Sequence, residues 1–161
     1  MDRLWSPWRY RYVSKATPAD ACIFCAKCAE QKDEENLIVH RGRHNFVLLN
    51  LYPYTTGHLM VAPYAHIASL DELPPEAAAE LMELTQAAVA RLRAVYRPQG
   101  LNLGMNLGEC AGAGIAGHLH MHVLPRWPGD ANFMTTIGET RVMPEELPET
   151  WRKMSEAFRP V

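Results

Sequence analysis

Three of the seven histidines in this chain stand at every second position of one segment, GHLHMHVLP (117–125). In a β-strand alternate side chains share a face, so the three imidazoles are expected together and the apolar residues between them on the opposite face. These histidines are His118, His120 and His122. A row of imidazoles spaced by roughly 6–7 Å predicts a functional surface, because ordinary packing seldom places three histidines side by side.

The rest of the sequence predicts an α+β fold. NFVLLNL (45–51) and GHLMVAP (57–63) are rich in strand formers and are joined by turn residues, which indicates an antiparallel hairpin. A long amphipathic helix is expected between Pro74 and Pro98, followed by strands at 101–106 and 117–125. The segment EELPETWRKMSEAF near the end indicates a short C-terminal helix. We therefore expect a mostly antiparallel sheet with one long helix.

Length and charge limit the kind of protein. The 161 residues suit one domain, 1–161, with an N-terminal arm at 1–20, a core at 21–140 and a tail at 141–161. A net charge of −2 argues against a broad nucleic-acid surface. No apolar run reaches the ~18 residues that span a bilayer, and no signal peptide is apparent. We expect a cytoplasmic protein without nucleic-acid or membrane partners.

The imidazole row has two chemical explanations. As metal ligands, three residues at these spacings are too far apart to reach one ion, and the next acidic residue is Asp130. As a nucleophile, a neutral histidine attacks phosphorus when one ring nitrogen is free. The glycine-rich segment LGECAGAGIAG (107–117) would supply backbone N–H groups for phosphate. This combination favours a covalent nucleotidyl-histidine enzyme; the alternatives are a metal-dependent hydrolase and a non-catalytic, zinc-stabilised nucleotide-binding module.

The cysteines suggest a second site. Cys22 and Cys25 have the separation typical of two zinc ligands, and in a reducing compartment such spacing favours a metal over a disulfide. A zinc ribbon needs a second cysteine pair, and only Cys28 and Cys110 are left. The alternative is that these thiols are small buried hydrophobes.

Two segments together resemble the histidine triad (HIT) family of nucleotide hydrolases and transferases. HLHMHVLP matches the family's alternating signature, and NFVLLNLYPYTTGHLMVAP resembles its hairpin. The fragile-histidine-triad branch and the bacterial diadenosine tetraphosphate phosphorylases are most similar, the latter because of LWSPWRYRYV and HVLPRWPGDANFM. The resemblance covers roughly residues 3–140.

The resemblance implies a HIT-like fold and a role for each histidine. His120 would attack the α-phosphate of a dinucleoside polyphosphate, and His122 would hydrogen-bond the phosphate or the leaving group. His118 would be structural or a metal ligand, and His58 would support the nucleophile strand. Water or inorganic phosphate would then release the nucleotide.

The same resemblance implies how the nucleotide is held. Asn50 would bind the ribose hydroxyls with Asn106 nearby, a task that suits an amide because it both donates and accepts. Gly112 and Gly114 would bind phosphate through their backbone, since the Gln-Ser or Gln-Thr common in the family is absent here. Trp127 would stack on a base or close the pocket.

Arg126 has two candidate partners, the polyphosphate or a surface carboxylate. Magnesium would arrive with the substrate. The family also implies a homodimer whose sheet continues across the interface.

The family suggests a structural zinc site built from the cysteine pair and two histidines. Its ligands would be Cys22, Cys25, His66 and His118. Cys28 is an alternative ligand, and His40 and His44 are further alternatives.

Overall fold

The computed structural model describes residues 22–138, 140 and 142–159. The expected arm at 1–20 lies outside these residues. In chain order the elements are α1 (Ile23–Ala29), α2 (Asp33–Asn36), β1 (Ile38–Arg41), β2 (Asn45–Leu49), β3 (Leu59–Pro63), α3 (Pro75–Tyr96), β4 (Gly100–Met105), β5 (Met121–Arg126), α4 (Phe133–Thr136) and α5 (Leu147–Phe158). Short 3-10 turns occur at Leu70–Glu72 and Glu109–Ala111. None of the described helices combines the length and apolar character needed to cross a membrane.

The described strands form one sheet in the order β1-β2-β3-β5-β4, and every neighbouring pair is antiparallel. β2 and β3 form the predicted hairpin. β5 lies between β3 and β4, with His122 opposite Met60 on one side and Gly104 on the other. The predicted α+β architecture, with its antiparallel sheet and long helix, is confirmed.

Helices cover both faces of this sheet. The larger core lies between the sheet, the apolar stripe of α3 and the inner face of α5. On the other face a smaller core forms around Phe24 of α1. Phe24 is 1% exposed, and burying a side chain of this size contributes roughly 1.5–3 kcal/mol. All five residues of β2 are buried, because both of its faces are covered, which explains the unbroken apolar run there.

The predicted strand at 117–125 is regular only in its second half. β5 begins at Met121, so His118 and His120 lie in the irregular segment leading into it. The backbone N–H of Leu119 donates to the carbonyl of Ile67 (2.6 Å), in the loop after β3. Regular pairing with β3 does not begin at Leu119, because Ile67 lies beyond the end of β3 at Pro63.

Four of the described elements were not foreseen from the sequence: the short helices α2 and α4, and two elements that bear on the site, α1 and β1. The segment containing the cysteine pair is largely helical, since α1 begins directly after Cys22. β1 is an additional edge strand; the indole N–H of Trp151 in α5 donates to the carbonyl of Ile38 (2.9 Å). Both are short, and both are held by contacts with residues distant in the sequence.

Candidate active site and metal site

The imidazole row lies on the face of the sheet that α1 covers. The rings of His118 and His120 both lie 5.0 Å from the ring of Phe24, measured between centroids. Between them Leu119 packs into the larger core on the opposite face, as does Val123 further along. The alternation of faces inferred from the sequence therefore extends through the irregular part of the segment as well.

The backbone of Tyr54 sets the proton positions on two of the imidazoles. Its N–H donates to Nδ1 of His58 (3.1 Å), so that nitrogen must carry a lone pair. In a neutral ring the proton is then on Nε2, which lies 2.9 Å from Nδ1 of His122. His58 therefore donates to His122, and the proton of neutral His122 is on Nε2. His122 thus presents a hydrogen-bond donor.

The opposite arrangement holds at His120. Its Nδ1 lies 2.8 Å from the carbonyl oxygen of His118, which only accepts, so Nδ1 carries the proton. Nε2 of the neutral ring therefore has a free lone pair. The rings of His120 and His122 meet edge to face with centroids 4.8 Å apart. A nucleophilic nitrogen and a donor N–H consequently belong to adjacent rings.

Burial keeps these rings neutral. It lowers the pKa of His58 to about 3, with smaller contributions from the neighbouring His122 and His120. Burial and the adjacent His120 lower the pKa of His122 to about 4. Burial also lowers the pKa of His120, against the opposing effect of its hydrogen bond to the His118 carbonyl. Neutral rings satisfy the condition for the proton positions derived above.

Both predicted asparagines lie at strand ends. Asn50 follows β2, and its Nδ2 is 3.4 Å from Nδ1 of His58. Asn106 follows β4, and its Nδ2 donates to the carbonyl of Gly112 (3.5 Å). Gly112 has φ 90°, a left-handed conformation that favours glycine, and it ends the 3-10 turn of the glycine-rich loop. Gly114 follows in the same loop.

Trp127 lies further along, beyond the end of β5. It lines a cavity of about 430 Å³ together with Tyr54, whose ring is 6.0 Å from that of His122. Arg126 binds a carboxylate: its Nε and Nη2 donate to the two carboxylate oxygens of Asp130 (2.6 and 2.8 Å). Of the two partners expected for Arg126, the structure contains the carboxylate.

The structure gathers four ligand-type residues beside the row. Their donor atoms all lie within 4.8 Å of one another. Sγ of Cys22 is 3.3 Å from Nδ1 of His118, and Sγ of Cys25 is 3.6 Å from that atom. Cys25 is also 3.4 Å from Nδ1 of His66. A tetrahedral zinc site has ligand–ligand edges of roughly 3.3–3.8 Å, so the cluster fits such an ion.

The second nitrogen of His118 supports this fit. Its Nε2 lies 2.9 Å from the carbonyl of Pro63, which accepts the ring proton and leaves Nδ1 free toward the thiols. Cys28 is not in the cluster, because its Sγ donates to the carbonyl of Cys25 (3.3 Å). His40 and His44 are also outside the cluster found among the described residues.

The fold and the two clusters together define the class of protein. The sequence model of the HIT domain family matches residues 31–129, more than half of the chain, and the chain belongs to that family. The match contains His58 and the imidazole row but begins after Cys22 and Cys25.

Individual relatives agree with this family. An AP-4-A phosphorylase of Mycobacterium tuberculosis is 44% identical over 162 residues, covering 96% of this chain and 83% of the relative. A Zn-bound histidine triad family protein from Mycobacterium smegmatis superposes with a TM-score of 0.68 at 27% identity, covering 85% of this chain and 92% of that one. A HIT family member from Bacillus subtilis gives a TM-score of 0.59 at 27% identity, covering 88% and 100%. The resemblance inferred from the sequence is confirmed, and the chain is an enzyme of the HIT family.

Two residues important to the geometry were missed in the sequence. Tyr54 contributes a backbone N–H, and a backbone donor has no signature in the sequence. Phe24 could have been found, since it is the large aromatic residue between the two cysteines.

Proposed function

We propose that the protein transfers a nucleotidyl group from dinucleoside polyphosphates through a covalent intermediate on His120. The observation that supports this most is the opposite protonation of the two adjacent rings. Nε2 of His120 has a lone pair, and Nε2 of His122 has a proton. One can attack phosphorus while the other donates to an oxygen of the phosphate or of the leaving group.

The reaction balances without an added acid. Nε2 of His120 forms a bond to the α-phosphorus as the bond to the bridging oxygen breaks, and the polyphosphate leaves as an anion. The modified ring is cationic and keeps its Nδ1 proton, which the carbonyl of His118 accepts more strongly as positive charge develops. A phosphate oxygen, or a water molecule that releases a proton to solvent, then attacks the same phosphorus as the bond to Nε2 breaks, and His120 regains its lone pair.

We infer that inorganic phosphate is the acceptor, making the enzyme a phosphorylase. The support is the 44% identity to a relative named AP-4-A phosphorylase. Water in the same role would make it a hydrolase, and chromatography distinguishes the two by whether a nucleoside diphosphate or a monophosphate is formed.

The nucleotide would be held by the groups at the strand ends. We propose that Asn50 binds the ribose hydroxyls, with Asn106 nearby, and that the backbone around Gly112 and Gly114 binds phosphate. Asn106 supports this, since it connects β4 to the glycine-rich loop through the carbonyl of Gly112. Magnesium would enter as the counter-ion of the polyphosphate.

We propose that Cys22, Cys25, His66 and His118 hold a structural zinc ion. The ion would supply a closed tetrahedral crosslink with no open position for substrate. Because the four ligands come from different parts of the chain, the ion would hold α1 against the loop after β3 and the segment leading into β5. A cluster of thiolates also suits a reducing cytoplasm, where we place the protein.

Ring orientation separates this proposal from a metal-dependent hydrolase that uses the whole row. Within the row, only His118 directs a nitrogen at the thiols, whereas Nδ1 of His120 and Nδ1 of His122 are engaged in hydrogen bonds. The rings of the row therefore do not converge on one ion.

The proposed function is tested by replacing the nucleophile. His120→Ala should lower kcat for diadenosine tetraphosphate by at least about 1,000-fold, since it removes the attacking group. Quenched wild-type reactions should contain a nucleotidylated peptide spanning 117–126. His44→Ala, in the turn between β1 and β2, is the matched histidine control and should remain active. Full turnover by His120→Ala would contradict the mechanism, and bound nucleotide without product would support the non-catalytic alternative.

We also propose a homodimer formed through β4. β4 is one of the two edge strands of the described sheet, the other being β1, and Leu103 on β4 is 52% exposed. Beside it, Met82 of α3 is 49% exposed. An unpaired edge strand next to exposed apolar side chains suits pairing with a second copy of the chain.

A further inference from the structure

We propose that the cavity beyond Tyr54 binds the nucleoside of the leaving group, so that the enzyme distinguishes dinucleoside from mononucleoside polyphosphates. This inference rests on the proposed function. The cavity measures about 430 Å³, within the range of small-molecule sites. Its lining includes Tyr54, Tyr96, Trp127, Met143, Pro144 and Glu145.

Tyr54 connects this cavity to the reacting groups. Its ring lies 4.7 Å from that of His58 and 6.0 Å from that of His122, and it also forms part of the cavity wall. His122 is the ring proposed to donate toward the leaving group. His120 lies on its other side, against Phe24. A substrate bonded at His120 therefore has its departing half directed past His122 toward Tyr54.

The chemistry of the wall selects a base over a phosphate. Three aromatic residues line the cavity, namely Tyr54, Tyr96 and Trp127. Aromatic side chains stack on nucleobases of any kind, because every base has a π-face. The described lining contains two carboxylates, Asp130 and Glu145, and neither lysine nor arginine. Asp130 is paired with Arg126, and Glu145 is paired with Lys153. The described lining therefore has no cation of its own to bind a polyphosphate, whereas its aromatic rings suit an uncharged base.

Hydrogen bonds and an ion pair preorganise the cavity wall. Glu145 accepts hydrogen bonds from the hydroxyls of Tyr96 (2.5 Å) and Thr150 (2.8 Å) and pairs with Lys153. Thr56 also lines the cavity; it is 9% exposed, and its buried hydroxyl has no partner among the described residues. The Tyr96 ring is therefore held in place, and the Thr56 hydroxyl has no partner among the described residues. A bound aromatic molecule with polar atoms, such as a nucleobase, would supply that partner.

The test compares two substrates that differ only in the second nucleoside. Val142 lines the cavity and is 64% exposed, so Val142→Trp places an indole in the opening without replacing a core residue. We expect kcat/KM for diadenosine tetraphosphate to fall about 10-fold, the size of one lost base stack, while that for adenosine tetraphosphate stays within about twofold. Met143 also lines the cavity, so Met143→Trp provides a second variant and should give the same result.

The control is Leu70→Trp, at an exposed apolar residue outside the cavity lining, which should change neither rate. An equal effect of Val142→Trp and Met143→Trp on both substrates, or none on either, would overturn the inference. If the wild-type protein consumed neither substrate, the proposed function itself would fail.

Discussion

At the scale of single residues, three backbone groups decide which nitrogen of each imidazole carries its proton. The N–H of Tyr54 acts on His58, and through it on His122. The carbonyls of His118 and Pro63 act on His120 and His118 respectively. Because backbone groups cannot change between donor and acceptor, they impose one tautomer on each neutral ring. The proposed roles of nucleophile, donor and metal ligand follow from these bonds.

Replacing His58 tests the donor role of His122. His58→Phe keeps a ring in the same place but removes the N–H directed at Nδ1 of His122. His122 is then no longer held with its proton on Nε2, so we expect kcat to fall about 10- to 100-fold with a much smaller change in KM. Steady-state kinetics measure the change. An unaltered kcat in the folded variant would mean that the hydrogen bond from His58 does not determine which nitrogen of His122 carries the proton.

The buried rings also make stability depend on pH. The pKa of folded His122 is about 4, below the value of about 6.5 expected in the unfolded chain. The unfolded state therefore binds more protons between these values, and stability falls as the pH is lowered from about 6.5 toward 4. For this residue the loss is on the order of 2 kcal/mol.

Urea unfolding at several pH values measures this loss. His122→Asn should show a shallower dependence on pH than the wild type over the same range. Identical slopes for the two proteins would assign the pH dependence to other groups.

At the scale of elements, α1 is attached by two different means. Phe24 buries it against the sheet, and the cluster beside the imidazole row includes Cys22 and Cys25 from this end of the chain. A helix of seven residues is too short to be stable alone, so its position depends on these contacts. Since the ring of His120 lies against Phe24, the placement of α1 bears directly on the proposed nucleophile.

Serine substitutions on α1 and at its start test the metal site. Cys22→Ser and Cys25→Ser should reduce the zinc-to-protein ratio from near one to near zero and lower Tm by several degrees, because each removes a thiolate ligand. Elemental analysis and thermal unfolding measure both effects. Cys28→Ser is the matched control, since Cys28 lies on the same helix but outside the cluster, and it should keep the metal. Purified wild-type protein without zinc would contradict the proposal.

At the scale of the whole molecule, the sheet is covered on both faces, and β4 is one of its two edge strands. The helices α3 and α5 cover one face and α1 covers part of the other, while Leu103 on β4 is half-exposed. The proposed imidazole chemistry lies on β5, the neighbour of β4. A dimer formed at β4 would therefore place two sites in one continuous sheet.

Leu103→Asp tests the proposed dimer. A carboxylate in the centre of an apolar interface is costly to bury, so we expect the variant to be monomeric where the wild type is dimeric. Sedimentation velocity measures the mass of each. Leu70→Asp introduces the same charge at a similarly exposed residue away from β4 and should leave the assembly intact. A monomeric wild type would end this proposal.

The periodic and composition-based features were predictable from the sequence. The hairpin, the long helix with its proline start, the antiparallel sheet and the shared face of the histidines follow from local patterns, because side-chain direction in a strand or helix repeats at a fixed interval. The HIT family was recognisable for the same reason, since its signature is itself such a pattern.

What only the tertiary structure decided are the pairings between distant segments. The donation from His58 to His122 and the bond from the Leu119 N–H to the Ile67 carbonyl, which precedes the late start of β5 at Met121, each join residues far apart in the chain. No local pattern encodes which backbone N–H or carbonyl will lie opposite a given ring. Those contacts form only when the whole sheet and its covering helices pack, and they set the proton on each imidazole.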